Sequence, residues 1–161
     1  MLTLCLRWIN MVLRGAVMFM VVGCGVTTPV ASHGGPVKDH ASFVGALRAK
    51  GLTVGFVVSV EQPFLLAKGT ALRVSGGSLK EPAEVQSFNY DDRDLGTDGL
   101  KAAAEDASQI EPNGNPRTAR INWIAPPHFF RKERVIVIYL GSDASALALL
   151  TELLGQQFAG R

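Results

Sequence analysis

The residues of this chain with side chains able to do chemistry lie in a few places. Its cysteines are Cys5 and Cys24. A thiol acts as a nucleophile, a metal ligand or half of a disulfide, and each role needs a partner group in the same folded unit. Asp91, Asp92, Asp94 and Asp98 form the densest group of acids, partly at the two-residue spacing of calcium loops. Such a loop also needs glycine at its sixth place and glutamate at its twelfth. Counted from Asp92, those places hold Thr97 and Ala103, so the pattern fails. Acids before a helix accept its free N–H groups and oppose its dipole. The run from Leu100 to Ala107 is helix-forming, so capping is the expected role. Ser75-Gly76-Gly77-Ser78 lacks the Gly-x-Ser-x-Gly of a nucleophile elbow and reads as a turn. His33, His40 and His128 each stand without a second histidine at metal-binding spacing. No catalytic set, metal site or cofactor is expected from these residues.

Histidine, aromatic and basic side chains gather in His128-Phe129-Phe130-Arg131-Lys132. The rings would stack on a ligand or lipid headgroup, or the basic tip would meet an acidic surface. The competing reading is scaffold, because a hairpin sends alternate aromatics inward and its basic residues to solvent. As a partner-binding site, His128, Phe129, Phe130 and Arg131 require at least one ring to face solvent, since desolvated aromatic and arginine residues dominate binding energy. An enzyme would need His128 to converge with acids such as Asp91 in a cleft.

The N-terminus carries Arg7 and Arg14, then an uncharged apolar run from Gly15 to Gly23. A membrane-spanning helix needs roughly 18 or more apolar residues, so this run reads as a cleaved export signal. It ends in Val21-Val22-Gly23-Cys24, which resembles the lipobox of bacterial lipoproteins. The resemblance implies cleavage before Cys24, acylation of its sulfur, and attachment to the outer side of a bacterial membrane. The alternatives are a plain signal peptide with an incidental cysteine, or an uncleaved anchor. With residues 1–23 removed and the Cys24 sulfur acylated, no thiol is left for a disulfide, zinc or catalysis. The full chain has 161 residues and a formal charge of +2. Arg7 and Arg14 account for the whole excess, leaving a neutral remainder. The net basic charge of the whole chain therefore does not imply a nucleic-acid partner, which needs a basic surface, and none is expected.

Residues 24–38 carry two prolines and three glycines without apolar period, and read as a tether reaching about 20 Å. Residues 39–161 read as one α+β domain. Asp39 caps a helix with Phe43 and Leu47 on one face and Gly51 as its stop. Leu52, Val54, Phe56, Val58 and Val60 alternate as the inner face of a half-buried strand, and Gln62-Pro63 breaks it. Ala71 to Ser75 and Ala83 to Tyr90 follow as strands, then the helix near Leu100. Gly96 and Gly99 make its first turns doubtful. Ala119, Ile121 and Trp123 alternate as a fourth strand. His128 to Arg131 and Arg134 to Leu140 form a hairpin whose second arm, VIVIYL, is apolar on both faces and so central. Ser142 or Asp143 caps a last helix with Leu147, Leu150 and Leu154 on one face. The expected fold is an antiparallel sheet of about five strands with helices mainly on one face, in the order α-β-β-β-α-β-β-α.

From about Asp39 onward, the chain also resembles a group of small, uncharacterised bacterial exported domains, many of them lipoproteins. The resemblance rests on Gln62-Pro63-Phe64, Phe88-Asn89-Tyr90, Ile121-Asn122-Trp123, Pro127 to Arg131, and Leu154 to Gly160. It departs around Gly96 and Gly99 and implies no activity. The expectation is an envelope protein held to the membrane through lipid on Cys24. It would act as a binding or accessory module toward another envelope protein or a small ligand. The alternatives are a structural, self-assembling lipoprotein, or an enzyme built on His128 and nearby acids.

Overall fold

The computed structural model describes residues 35–161. The expected signal segment 1–23, Cys24 and the expected tether as far as residue 34 lie outside the described residues. The folded part begins before Asp39: Val37 is buried in the core and the Lys38 carbonyl accepts from Arg134 N. The folded part therefore begins about two residues earlier than the composition implied.

Asp39 accepts from Ser42 N while the Ser42 hydroxyl lies 2.9 Å from Asp39 N, a reciprocal capping box that opens α1 (His40–Ala49). Phe43, Ala46 and Leu47 form the buried stripe of α1, and Gly51 at φ +78° turns the chain into the sheet. Three antiparallel strands follow, β1 (Leu52–Val60), β2 (Gly69–Gly76) and β3 (Ala83–Asn89). Next come α2 (Asp92–Leu95) and α3 (Gly99–Ser108), then the hairpin β4 (Pro127–Lys132) and β5 (Val135–Leu140). Asp143 caps α4 (Ala144–Leu154), and β6 (Ala159–Gly160) closes the chain.

The sheet order is β1-β2-β3-β5-β4-β6, with every pairing antiparallel. The fold is thus α+β, with six strands rather than five. Val135, Val137 and Tyr139 of β5 belong to one core with Phe43 and Leu47 of α1 and Leu149, Leu150 and Leu154 of α4. Ile136 and Ile138 belong to a second core with Phe88, Tyr90 and Ala102 and Ala103 of α3. Two helices cover one face of the sheet, and α3 with its flanking loops covers the other. That is why VIVIYL is apolar at every step.

The acids do cap. Asp91 accepts from Arg93 N, Asp98 accepts from Leu100 N and Lys101 N, and Asp92 accepts from Gly99 N at 2.7 Å. Gly96 ends α2 in the left-handed region at φ +64°. Gly99 is required rather than tolerated: a Cβ there would lie 1.9 Å from the Tyr90 carbonyl oxygen.

The expected strand at 119–123 is absent. Ile121 N donates to Asn115 Oδ1, and the Trp123 indole donates to the Gly114 carbonyl. The Trp123 ring lies edge-on to Phe64 at 6.3 Å and to Phe129 at 5.8 Å. This segment covers a sheet face instead of joining the sheet. The place beside β4 is taken by β6, which pairs Ala159 with Phe129 and Gly160 with His128.

Candidate functional site

The structure places the hairpin patch inside the protein. His128 pairs with Tyr139, Phe129 with Ile138 and Phe130 with Val137, so successive side chains of β4 fall on opposite faces. Both faces are covered, and Phe129 and Phe130 are 0% and 1% exposed. Phe129 meets Phe64, Trp123 and Phe158, while Phe130 joins the core under α1 and α4. His128, 5% exposed, stacks on Tyr139, and its Nδ1–H donates to Gln157 Oε1 at 2.6 Å. Its Nε2 is buried without a partner among the described residues. Arg131 alone of the four is exposed. The expected exposed aromatic anchor is therefore corrected to scaffold: alternation hides only every second residue of a sheet with one covered face, and hides all of them when both are covered.

His128 and Asp91 do not meet. His128 faces Tyr139 near one end of β5, whereas Asp91 follows β3 beyond Asn89, which faces Val135 at the other end. Four residues along a strand are about 13 Å. Asp91 instead holds the Arg93 guanidinium at 3.1 Å, and its hydrogen bonds from the Arg93 side chain and N–H keep its carboxyl below the usual range. His40, the other histidine among the described residues, is half-buried. Its Nδ1 lies 3.0 Å from Ser87 Oγ, and its backbone N–H donates to Asn89 Oδ1. Burial pushes its pKa down from 6.5, and Ser87 is enclosed beneath α1. The Tyr90 hydroxyl donates to Asp106 Oδ2 at 2.6 Å, and burial pushes that phenol up. Asp106 also accepts from Leu66 N, so the pair fastens α3 to the loop after β1.

The quoted motifs share this structural character. Gln62 bonds Gln86, Phe64 packs on Trp123, and Asn89 receives the first N–H of α1. A Cβ on Gly160 would lie 1.9 Å from the Pro127 carbonyl oxygen, so glycine lets β6 dock. A shallow cleft of about 470 Å³ is lined by Glu61, Gln62, Pro63, Leu65, Leu66, Ala67 and Lys68. A second of about 460 Å³ is lined by Lys38, Asp39, Leu100, Glu133 and Arg134. Neither is lined by a histidine, serine, cysteine or tyrosine. Among the described residues, no group of three or more metal-ligating side chains comes together, and no helix is long and apolar enough to cross a membrane.

The surface the sequence missed is β1. Expected to be half-buried, it buries only Leu52. Phe56, Val57 and Val58 are 68%, 45% and 52% exposed. They are three of the seven exposed large apolar residues among those described, and the only consecutive ones. The register slips between Phe56 and Val58, which face Leu72 and Ala71, leaving Val57 as an inserted residue. This bulge resets the alternation, so Phe56 and Val58 fall on opposite faces. The readable signal was the unbroken Phe-Val-Val, which contradicts a strict alternation. β1 is also an edge. It pairs only with β2, and among the described residues no turn or loop N–H or C=O bonds its outer side. No family model, curated protein or solved structure matches the chain.

Proposed function

We propose that this chain is a lipid-anchored protein of the bacterial cell envelope, held on the extracytoplasmic side of the membrane through Cys24. It serves as a binding module whose contact surface is the outer edge of β1. The anchor reading is supported by the order of basic, apolar and small residues before Cys24. The observation that carries the binding reading is the exposed Phe56-Val57-Val58 on an edge strand with free backbone groups. Such an edge recognises an extended polypeptide by adding it to the sheet: main-chain hydrogen bonds supply affinity and alternate side chains supply specificity. A partner of this kind is another protein segment rather than a small molecule or a nucleic acid.

Two measurements test these parts separately. Labelling with a fatty-acid analogue should mark the wild-type chain and leave Cys24→Ser unmarked, while Cys5→Ser behaves as wild type. Unmarked wild-type protein in the soluble fraction would overturn the anchor. For the edge, a photo-reactive benzophenone side chain placed at Val57 should form adducts in the native envelope, and one placed at Arg131 should not. Adducts at Arg131 alone would return the hairpin tip to consideration and remove β1. The self-assembling alternative draws on the same edge.

A further inference from the structure

We infer that a cleft walled by Asn113, Arg117, Thr118 and Arg120 binds a phosphate group, carried by a lipid headgroup or by a soluble phosphate compound. Residues 109–126 join α3 to β4 and form the longest connection among the described residues. A connection of that length without regular structure is ordinarily either disordered or functional, and this one is fixed. Arg117 N–H donates to the Gln109 carbonyl, Glu111 N–H to the Asn115 carbonyl and Gly114 N–H to the Glu111 carbonyl, each at 2.8 Å. Asn115 N–H donates to Asn113 Oδ1, Ile121 N–H to Asn115 Oδ1, and the Trp123 indole to the Gly114 carbonyl. A loop already held by its own backbone loses little freedom when a ligand arrives.

These bonds frame an open cleft of about 320 Å³ whose lining includes Glu111, Asn113, Arg117, Thr118 and Arg120. Both arginines are exposed, and neither pairs with a carboxylate among the described residues. The backbone N–H groups of Thr118 and Arg120 also lack a backbone acceptor there. In the two clefts described above, by contrast, Lys68 is paired with Glu61 at 3.3 Å and Arg134 with Asp92 at 3.0 Å. Guanidinium forks bind carboxylate and phosphate oxygens two at a time. Two forks and two N–H groups offer more donors than the two oxygens of a carboxylate use. They suit a phosphate group, with three acceptor oxygens and nearly two negative charges. Glu111, whose Oε2 lies 3.5 Å from Asn113 Nδ2, is the one acid of the lining and repels an anion, so it holds the affinity down. The cleft belongs to the β4 and β6 side of the sheet: Gly160 N–H donates to the Pro112 carbonyl, and Trp123 packs on Phe129. β1 stands at the opposite end of the strand order, so this surface is independent of the edge proposed above.

The test uses the full-length chain in neutral detergent micelles and follows N–H signals by NMR at constant ionic strength. Inorganic phosphate should move the side-chain signals of Arg117 and Arg120 and the backbone signal of Thr118 saturably. The signals of the exposed Arg48, Arg73 and Arg131 should stay where they are. Read from Thr118, Arg117→Ala with Arg120→Ala should weaken binding about tenfold or more, since hydrogen bonds to a charged group are lost. Glu111→Gln should tighten it roughly threefold by removing a like charge, a gain that damage to the loop would not produce. A second titration replaces inorganic phosphate with phosphatidic acid added to the micelles. A response to phosphatidic acid alone supports the site and assigns it to lipid headgroups, whereas a response to inorganic phosphate supports it and assigns it to soluble compounds. Equal movement of all the arginines, no saturation with either probe, or binding that Glu111→Gln leaves unchanged or weaker overturns the inference.

Discussion

Phe129-Phe130 in β4 and Phe56 to Val58 in β1 are both short apolar runs, yet the first is wholly buried and the second exposed. β4 has β5 on one side and β6 on the other, with α1 and α4 over one face and α3 with the Trp123 loop over the opposite one. β1 has a neighbour on one side only, and α1 covers just its first residues: Leu52 is buried, Val54 half-buried and Phe56 exposed. Place in the sheet, and not composition, decides which run is scaffold and which is surface.

The contrast breaks most visibly at Phe129. Phe129→Ala should cost about 3–5 kcal/mol, because it leaves a cavity among Phe64, Trp123 and Phe158, and denaturant unfolding measures it. A loss below about 1 kcal/mol would mean that β4 is not the interior strand described. Gly160→Ala comes next, at about 1–3 kcal/mol, since the added Cβ meets the Pro127 carbonyl in a residue at φ +102°. Its unfolding midpoint should fall, and a Trp123 emission shift should report the loosened edge.

Smaller effects belong to the start of α1. Asp39→Ala should cost about 1 kcal/mol near neutral pH by removing the cap. The backbone N–H and hydroxyl of Ser42 hold the Asp39 carboxyl below 3.8. Its contribution is therefore complete above 3.8 and is lost as pH falls through the lower folded-state value; the difference between wild type and variant should vanish there. His40 works in the same direction in a higher window. Burial lowers its folded-state value beneath 6.5, so the unfolded chain takes up the proton first. Stability should be full above 6.5 and decline as pH drops from 6.5 through the folded value, and His40→Phe should flatten that part of the profile. The smallest change sharpens the comparison: Phe56→Ser should stay within about 0.5 kcal/mol of wild type in dilute solution, while weakening edge adducts at Val57. A cost like that of Phe129→Ala would show that β1 is covered after all.

Much of the local structure was legible because it is set by neighbours in the chain. Asp39 and Asp143 cap their helices through residues three places on, and Asp91 and Asp98 cap through residues two or three places on. VIVIYL declared its central place because only a strand covered on both faces affords six apolar residues in a row. The candidate site was not legible in this way. His128-Phe129-Phe130 carries the same letters whether it tips a free hairpin or crosses a packed sheet, and Gln157, which receives the His128 N–H, lies 29 residues away.

The sequence by itself determined α1, α3 and α4, the hairpin arms and the acidic caps, all of which rest on interactions within a few residues; it did not separate α2 from α3. Only the tertiary structure decided that β6 and not residues 119–123 would flank β4, that both faces of the sheet would be covered, and that β1 would stand at the edge. Those outcomes depend on which distant segments compete for the same backbone donors and the same apolar faces. Pairing of Ala159 with Phe129 leaves no mark at short range.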